Sequence, residues 1–186
     1  MKGKGKMFIK KAKPEQTEKA VEKLSDVFGN ITVVDDVPVK EYMIKWLSAF
    51  APDMALSDAK AFCLPRRMYK NYLWHAFSFQ KTASFVDEDA KEAFKEGFFG
   101  QCFVLMNEEN ILCSVDSVKD VPFERIEELQ NVIIFTKDFT ETFVYTGKEG
   151  FGPYYKSVSM TEIDDAEPLE LEEAEPSLLE EAESEE

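Results

Sequence analysis

Two pairs of short apolar runs constrain the fold of this chain more than any other feature. Residues 102–106 and 111–115 are joined by the polar loop Asn107–Asn110, and residues 132–135 and 142–145 form a similar pair. Short apolar runs joined by a polar loop of about four residues are typical of β-hairpins. The sequence therefore predicts an antiparallel sheet that contains two hairpins.

Helical patterns precede and separate these hairpins. Pro14 is followed by apolar residues spaced by three and four from Ala20 to Phe28, which predicts an amphipathic helix. A short strand is predicted at 31–34, and further helices are predicted from Pro38 to Pro52, near 57–64, over 87–96 and after Pro122. Helices followed by hairpins with helical insertions predict one α+β domain with a mainly antiparallel sheet.

The aromatic run from Leu73 to Phe79 contains the single histidine of the chain, His75. Alternation would put Leu73, His75 and Phe77 on one face, which predicts a strand. A helix would also group Leu73 with Ala76 and Phe77, so both structures are consistent with the pattern. We predict the strand.

The charge is distributed unevenly along the 186 residues. The chain has 22 basic and 37 acidic residues, a formal net charge of −15, and thirteen of the acids lie in 162–186, which has no basic residue. This composition predicts a disordered acidic tail. Residues 1–13 carry six lysines and predict a flexible basic arm, which leaves 14–161 as the globular domain. A net negative charge disfavours general binding to DNA or anionic lipid.

Cysteine spacing and hydropathy indicate the cellular compartment. Cys63, Cys102 and Cys113 form no Cys-x-x-Cys pair and are odd in number, which argues against a disulfide framework or structural zinc. The sequence contains no apolar run long enough for a transmembrane helix and no hydrophobic leader. We therefore expect a cytoplasmic protein with reduced thiols and predict no cofactor and no metal.

Two short motifs carry a family resemblance. The first is Trp74-His75-x-Phe77-Ser78 followed by an aromatic residue, and the second is the ending Gly-Pro-Tyr-Tyr at 152–155. In this order they resemble a bacterial family described as a domain of unknown function and numbered four-two-seven-five, over roughly residues 31–157. The resemblance implies a single compact domain and brings no assigned activity. The lysine arm and the acidic tail lie outside it.

His75 is the candidate catalytic residue, because any Ser-His or Cys-His mechanism in this chain must use it. Ser78 or a cysteine brought near by the fold would be the nucleophile. The more common role for such a histidine is one hydrogen bond within an aromatic core. The acidic clusters at 87–89 and 35–36 fit a helix cap and a turn better than a cation site.

Candidate binding residues are aromatic or arginine side chains; they are Trp74, His75, Phe151, Tyr154, Tyr155, Arg66 and Arg67. The glycine-rich segment 147–153 runs into a proline and lacks the helix of a nucleotide-binding loop, so we interpret it as a turn that directs the two tyrosines. Those tyrosines suit an interface, a pocket or the core. The arginine pair could hold an anionic group through two hydrogen bonds, and a surface loop without a ligand is the more common role of such a pair.

The leading functional hypothesis is a small cytoplasmic protein-binding domain, such as an inhibitor or an immunity factor, which is not an enzyme. Its partner would be another protein, and the acidic tail would contact a basic partner or the arm. The alternative is a hydrolase or transferase that uses His75 with Ser78 or a cysteine. A weaker alternative is nucleic-acid binding through the lysine arm.

Overall fold

The computed structural model describes residues 14–64, 71–98 and 100–158. The predicted basic arm, the acidic tail and the pair Arg66 and Arg67 lie outside the described residues. Within them the chain forms a single α+β domain, as the sequence predicts.

The described residues form one seven-stranded sheet that is antiparallel throughout. Its strands are β1 (Ile31–Val33), β2 (Phe85–Val86), β3 (Cys102–Met106), β4 (Ile111–Val115), β5 (Val132–Thr136), β6 (Glu141–Tyr145) and β7 (Tyr154–Ser157). Their spatial order is β1-β4-β3-β5-β6-β7-β2. Both predicted hairpins, β3–β4 and β5–β6, are confirmed and lie side by side in the centre of the sheet.

Helices cover the sheet on both faces. They are α1 (Pro14–Phe28), α2 (Val39–Phe50), α3 (Leu56–Asp58) with a π-helical turn at Ala59–Cys63, α4 (His75–Ser78), α5 (Asp87–Glu96) and α6 (Phe123–Glu127). One core contains residues of α2, α4 and the π-helical turn, and the other contains residues of α1, α5 and α6. The strand β5 serves both cores, because Ile133 faces the first and Ile134 faces the second.

The predicted strand over Leu73–Phe79 is wrong. Leu73 and Trp74 form a turn that leads into the short helix α4, in which the N–H of Ser78 donates to the carbonyl of Trp74. Leu73, Trp74, Ala76 and Phe77 are buried, whereas His75, Ser78 and Phe79 are wholly or partly exposed. This is a helical burial pattern, since a strand would bury alternate residues.

The two outer strands on one side of the sheet were not predicted. Tyr154 and Tyr155 begin β7, which pairs with β6, and the two-residue strand β2 pairs with β7. Neither segment shows an apolar run long enough to signal a strand. Among the described residues no helix has the length and apolar character needed to cross a membrane.

Candidate binding site around Trp74

Six rings form a continuous band across α4 and its neighbours, which we call the aromatic strip. Its members are Phe62, Tyr72, Trp74, His75, Phe79 and Phe151. Ring centroids are 4.9 Å apart for Phe62 and Phe79, 4.8 Å for Phe79 and His75, and 4.1 Å for His75 and Trp74. The strip ends at Phe151, whose centroid lies 5.7 Å from that of Trp74.

Trp74 is the anchor of the strip. It is only 2% exposed, and its indole Nε1–H donates to the side-chain oxygen of Asn131 at 3.1 Å. Its ring is stacked with Tyr72 at 5.4 Å, and Lys148 Nζ lies 4.7 Å from the centroid of Tyr72 and 5.1 Å from that of Trp74. A cation over two aromatic faces is a favourable electrostatic contact. Trp74 therefore connects the strip to two polar side chains, Asn131 and Lys148.

Tyr72 is oriented by an acidic side chain from the β3–β4 turn. Its hydroxyl donates to Glu108 Oε1 at 2.6 Å. Burial and this hydrogen bond raise the pKa of Tyr72 to about 12, so the phenol keeps its proton at neutral pH. The Tyr72 ring is thus held against Trp74 as a neutral aromatic surface.

The loop over residues 146–153 places both Lys148 and Phe151 at the strip. Thr146 Oγ1 donates to the carbonyl oxygen of Phe151 and accepts from the Lys148 N–H at 3.1 Å. Gly152 has φ +78°, and a Cβ there would lie 2.9 Å from the Tyr154 ring, so only glycine fits. The loop is closed by its own hydrogen bonds, which fixes the exposed Phe151 ring beside Trp74.

His75 and Ser78 are brought together on one turn of α4. The distance between His75 Nδ1 and Ser78 Oγ is 3.1 Å, within hydrogen-bonding range. Burial, and to a smaller extent the charge of Lys148, lower the pKa of His75 from its usual 6.5. The imidazole is therefore neutral at pH 7, the state in which it accepts a proton from a hydroxyl.

The three cysteines are free and buried. Burial raises the pKa of Cys63 and Cys102 to about 12 and that of Cys113 to about 11. Their thiols therefore stay protonated at neutral pH, and a protonated thiol is a poor nucleophile. Cys63 packs against Met54, with 3.9 Å between the sulfur atoms.

Tyr154 and Tyr155 point to opposite faces of β7 and are both buried. Tyr154 packs on Phe77 in the first core, with 5.4 Å between centroids. Tyr155 lies in the second core, where its hydroxyl donates to Glu141 Oε1 at 2.6 Å. The structure therefore places both tyrosines in the two cores rather than in the strip.

Two grooves border the 146–153 loop and share Thr146, Gly147 and Lys148. The smaller, of about 280 Å³, also contains Phe151, a second lysine (Lys91) and four acidic residues; we call it the acidic groove. Its acidic residues are Asp87, Glu88, Glu127 and Glu149. The larger, of about 900 Å³, lies between α1 and the β3–β4 turn, and we call it the hairpin groove.

Asn131 and Lys148 are site residues that sequence reasoning missed. Lys148 lies within the glycine-rich segment 147–153, which the sequence pattern predicts to be a turn without giving its lysine a role. Asn131 stands next to the apolar run of β5 and looks like a turn residue. No sequence signal connects Asn131 with Trp74, which is 57 positions away.

Within the described ranges, no three His, Cys, Asp or Glu side chains are grouped so that they would hold a metal ion. Comparison with known families gave one match: the profile of a domain of unknown function fits residues 25–155, most of the chain. Comparisons with curated proteins and with solved structures found no match.

Proposed function

Because the chain belongs to the family described as Domain of unknown function (DUF4275), its activity has to be argued from its own surface, and we propose that it is a protein-binding domain that contacts its partner through the aromatic strip. The observation that carries this proposal is the strip itself. Phe79 and Phe151 are 48% and 44% exposed. Phe151 packs against the buried Trp74, and Phe79 packs against His75, which itself contacts Trp74. Aromatic side chains on a rigid support dominate the binding energy of many protein interfaces.

The charge around the strip indicates the chemistry of the partner. The acidic groove beside Phe151 has four carboxylates against two lysines. Residues 14–161 as a whole carry 24 acidic and 16 basic side chains. Such a surface accelerates association with a basic partner by electrostatic steering. The proposed partner is therefore a basic protein, which this chain would bind as an inhibitor or an immunity factor.

The proposal sets this binding in the cytoplasm. Three free cysteines support a reducing compartment, because an oxidising one favours disulfides in small domains.

Removing the two exposed rings tests the strip. We expect the double variant Phe79→Ala/Phe151→Ala to bind the partner at least about tenfold more weakly than the original chain, because truncation of a residue at the energetic centre of an interface costs more than about 1 kcal/mol. The partner is captured from native lysate at low salt and identified. Its Kd is then measured by calorimetry with purified components.

Phe85→Ala is the matched control, because Phe85 is 56% exposed but lies on β2, outside the strip. It should bind like the original chain. The proposal is overturned when the double variant binds the purified partner as tightly as the control, or when no specific protein is captured at all.

A second candidate function, that of a serine hydrolase or transferase, is favoured by one observation. His75 Nδ1 lies 3.1 Å from Ser78 Oγ, and the lowered pKa of His75 keeps the ring neutral at pH 7. In such an enzyme His75 would accept the proton of Ser78 as the oxygen attacks a carbonyl or phosphoryl group. The two residues lie on the same turn of α4, beside the exposed Phe79.

A fluorophosphonate probe tests the second candidate. We expect covalent labelling of Ser78, located by mass spectrometry, with a rate that rises with pH as His75 loses its proton and then levels off. The midpoint lies below the usual histidine value of 6.5, because the pKa of His75 is lowered. Ser78→Ala should abolish the labelling, and His75→Gln should slow it at every pH. Absence of labelling at pH 8 would rule out this reaction class.

A further inference from the structure

The hairpin groove has a buried apolar floor and charged sides. Its floor includes Ala20 of α1, Met106 of β3 and Leu129, which are each less than 5% exposed. Lys19, Glu22 and Lys23 line the α1 side, where Lys19 also pairs with Glu15, and Glu108 and Glu109 line the opposite side. A volume of about 900 Å³ is ample for several residues of a polypeptide or for a small molecule.

Asn131 lines this groove, and its side chain has a buried hydrogen-bond donor without a partner. It is 7% exposed, and its Nδ2 has no hydrogen-bond partner. Its side-chain orientation is fixed, since an indole N–H only donates and the atom facing Trp74 must therefore be the oxygen. A buried donor without a partner is rare in folded proteins and calls for an explanation. A hydrogen-bond acceptor on a molecule bound in the groove would explain this donor.

The groove is continuous with the aromatic strip through three contacts. Asn131 accepts from Trp74, Glu108 accepts from Tyr72, and Lys148 lies over both rings. All three of these polar residues line the groove. A partner that covers the strip is therefore already placed to extend a segment into the groove.

We propose that the hairpin groove receives an extended segment of the protein partner, with a backbone carbonyl of that segment accepting a hydrogen bond from Asn131 Nδ2. An apolar side chain of the segment packs on Met106 and Leu129. Acidic and basic side chains on either side of it pair with the lysines of α1 and the glutamates of the turn. This inference rests on the proposed function and specifies which part of the partner is recognised.

Asn131→Asp is the decisive variant. Aspartate keeps an oxygen to accept from Trp74 and tolerates the backbone of Asn131, which has φ +52°, but it cannot donate from the other position. We expect it to weaken binding of a peptide probe by about tenfold, the typical effect of one lost hydrogen bond to a bound group. The shape of the groove is retained.

Nuclear magnetic resonance of the full chain provides the measurement. The sequence has two tryptophans, so there are two indole N–H signals, and Trp46 donates to Thr142 inside the first core and serves as the internal control. The probes are two capped tripeptides, Glu-Leu-Lys and Lys-Leu-Glu, added separately. The expected result is a shift of the Trp74 indole and Asn131 amide signals with an unchanged Trp46 signal.

Three results would overturn the inference. They are no shift with either tripeptide, equal affinity in Asn131→Asp, and an equal shift with N-methylacetamide, which would mean that any small amide suffices. A synthetic peptide of residues 162–186 is tested in parallel. If that peptide alone produces the shift, the occupant is the acidic tail of this protein rather than a partner.

A second variant covers the case in which Asn131→Asp does not fold. Gln16 is exposed on the α1 side of the groove, so Gln16→Trp should fill the groove without altering a core, and Gln16→Ala is its control. Tryptophan at this position should remove the tripeptide shift, and alanine should not. Loss of partner binding in the Phe79→Ala/Phe151→Ala variant with normal binding in both groove variants leaves the proposed function standing and overturns only the groove.

Discussion

Replacing Trp74 with alanine is expected to lower the free energy of unfolding by about 3–5 kcal/mol, the range found for large aromatic side chains removed from a core. Trp74 is 2% exposed and contacts Tyr72, His75 and Phe151. The substitution also leaves the side chain of Asn131 without its one hydrogen bond. Urea unfolding followed by circular dichroism measures the change.

Trp74→Phe separates the packing from the hydrogen bond. Phenylalanine keeps most of the ring contacts but removes the indole N–H, so we expect a smaller loss of about 1–3 kcal/mol from the unpaired Asn131. Equal stability of the alanine variant and the original chain would mean that Trp74 does not anchor the strip. If the two variants are equally destabilised, the hydrogen bond rather than the ring holds this region together.

Glu141→Ala is expected to lower the free energy of unfolding by about 2–4 kcal/mol, because it leaves two donors without their acceptor. The Glu141 carboxylate accepts from the Tyr155 hydroxyl at 2.6 Å and from the Phe98 N–H at 2.9 Å. Phe98 is fully buried and has φ +59°, an unfavourable backbone conformation for phenylalanine. Glu141 therefore also holds a strained residue, and thermal unfolding should show the effect clearly.

Tyr155→Phe is the matched control for Glu141. It removes one of the two hydrogen bonds and leaves the Phe98 contact, so we expect a loss of about 1 kcal/mol. A Tyr155→Phe variant as unstable as Glu141→Ala would show that the Phe98 contact contributes nothing.

The centre of the sheet was predictable from sequence because each hairpin is local. The β3–β4 and β5–β6 pairs each join neighbouring apolar runs through a short polar turn, and such patterns need no information from distant residues. The strand β7 has only four residues and pairs with β6, and the outermost strand β2 depends on pairing with β7 across about 70 positions, between Val86 and Tyr154. A two-residue strand has no periodicity to detect.

The candidate site was predicted in part. Trp74, His75 and Phe151 were chosen for residue type, and the fold does bring them together. The strand prediction failed at Leu73–Phe79 because Leu73 and Phe77 fit both the alternating and the helical pattern. The folded chain also buries Trp74 and Ala76, which only the helical pattern allows. Asn131 was missed because its role depends on a contact that only the folded chain creates.

Helices cover both faces of the sheet, and this coverage affects how the register between its strands is specified. In most antiparallel hairpins a slip of one residue exposes the apolar face, and polarity alone prevents it. In β5 every side chain is buried, so such a slip would exchange one apolar face for another. The correct alignment of β5 with β6 must therefore be encoded in the turn, where Thr136 Oγ1 accepts from the N–H groups of Thr140 and Glu141. A single side-chain oxygen, and not the hydrophobic pattern, carries that information.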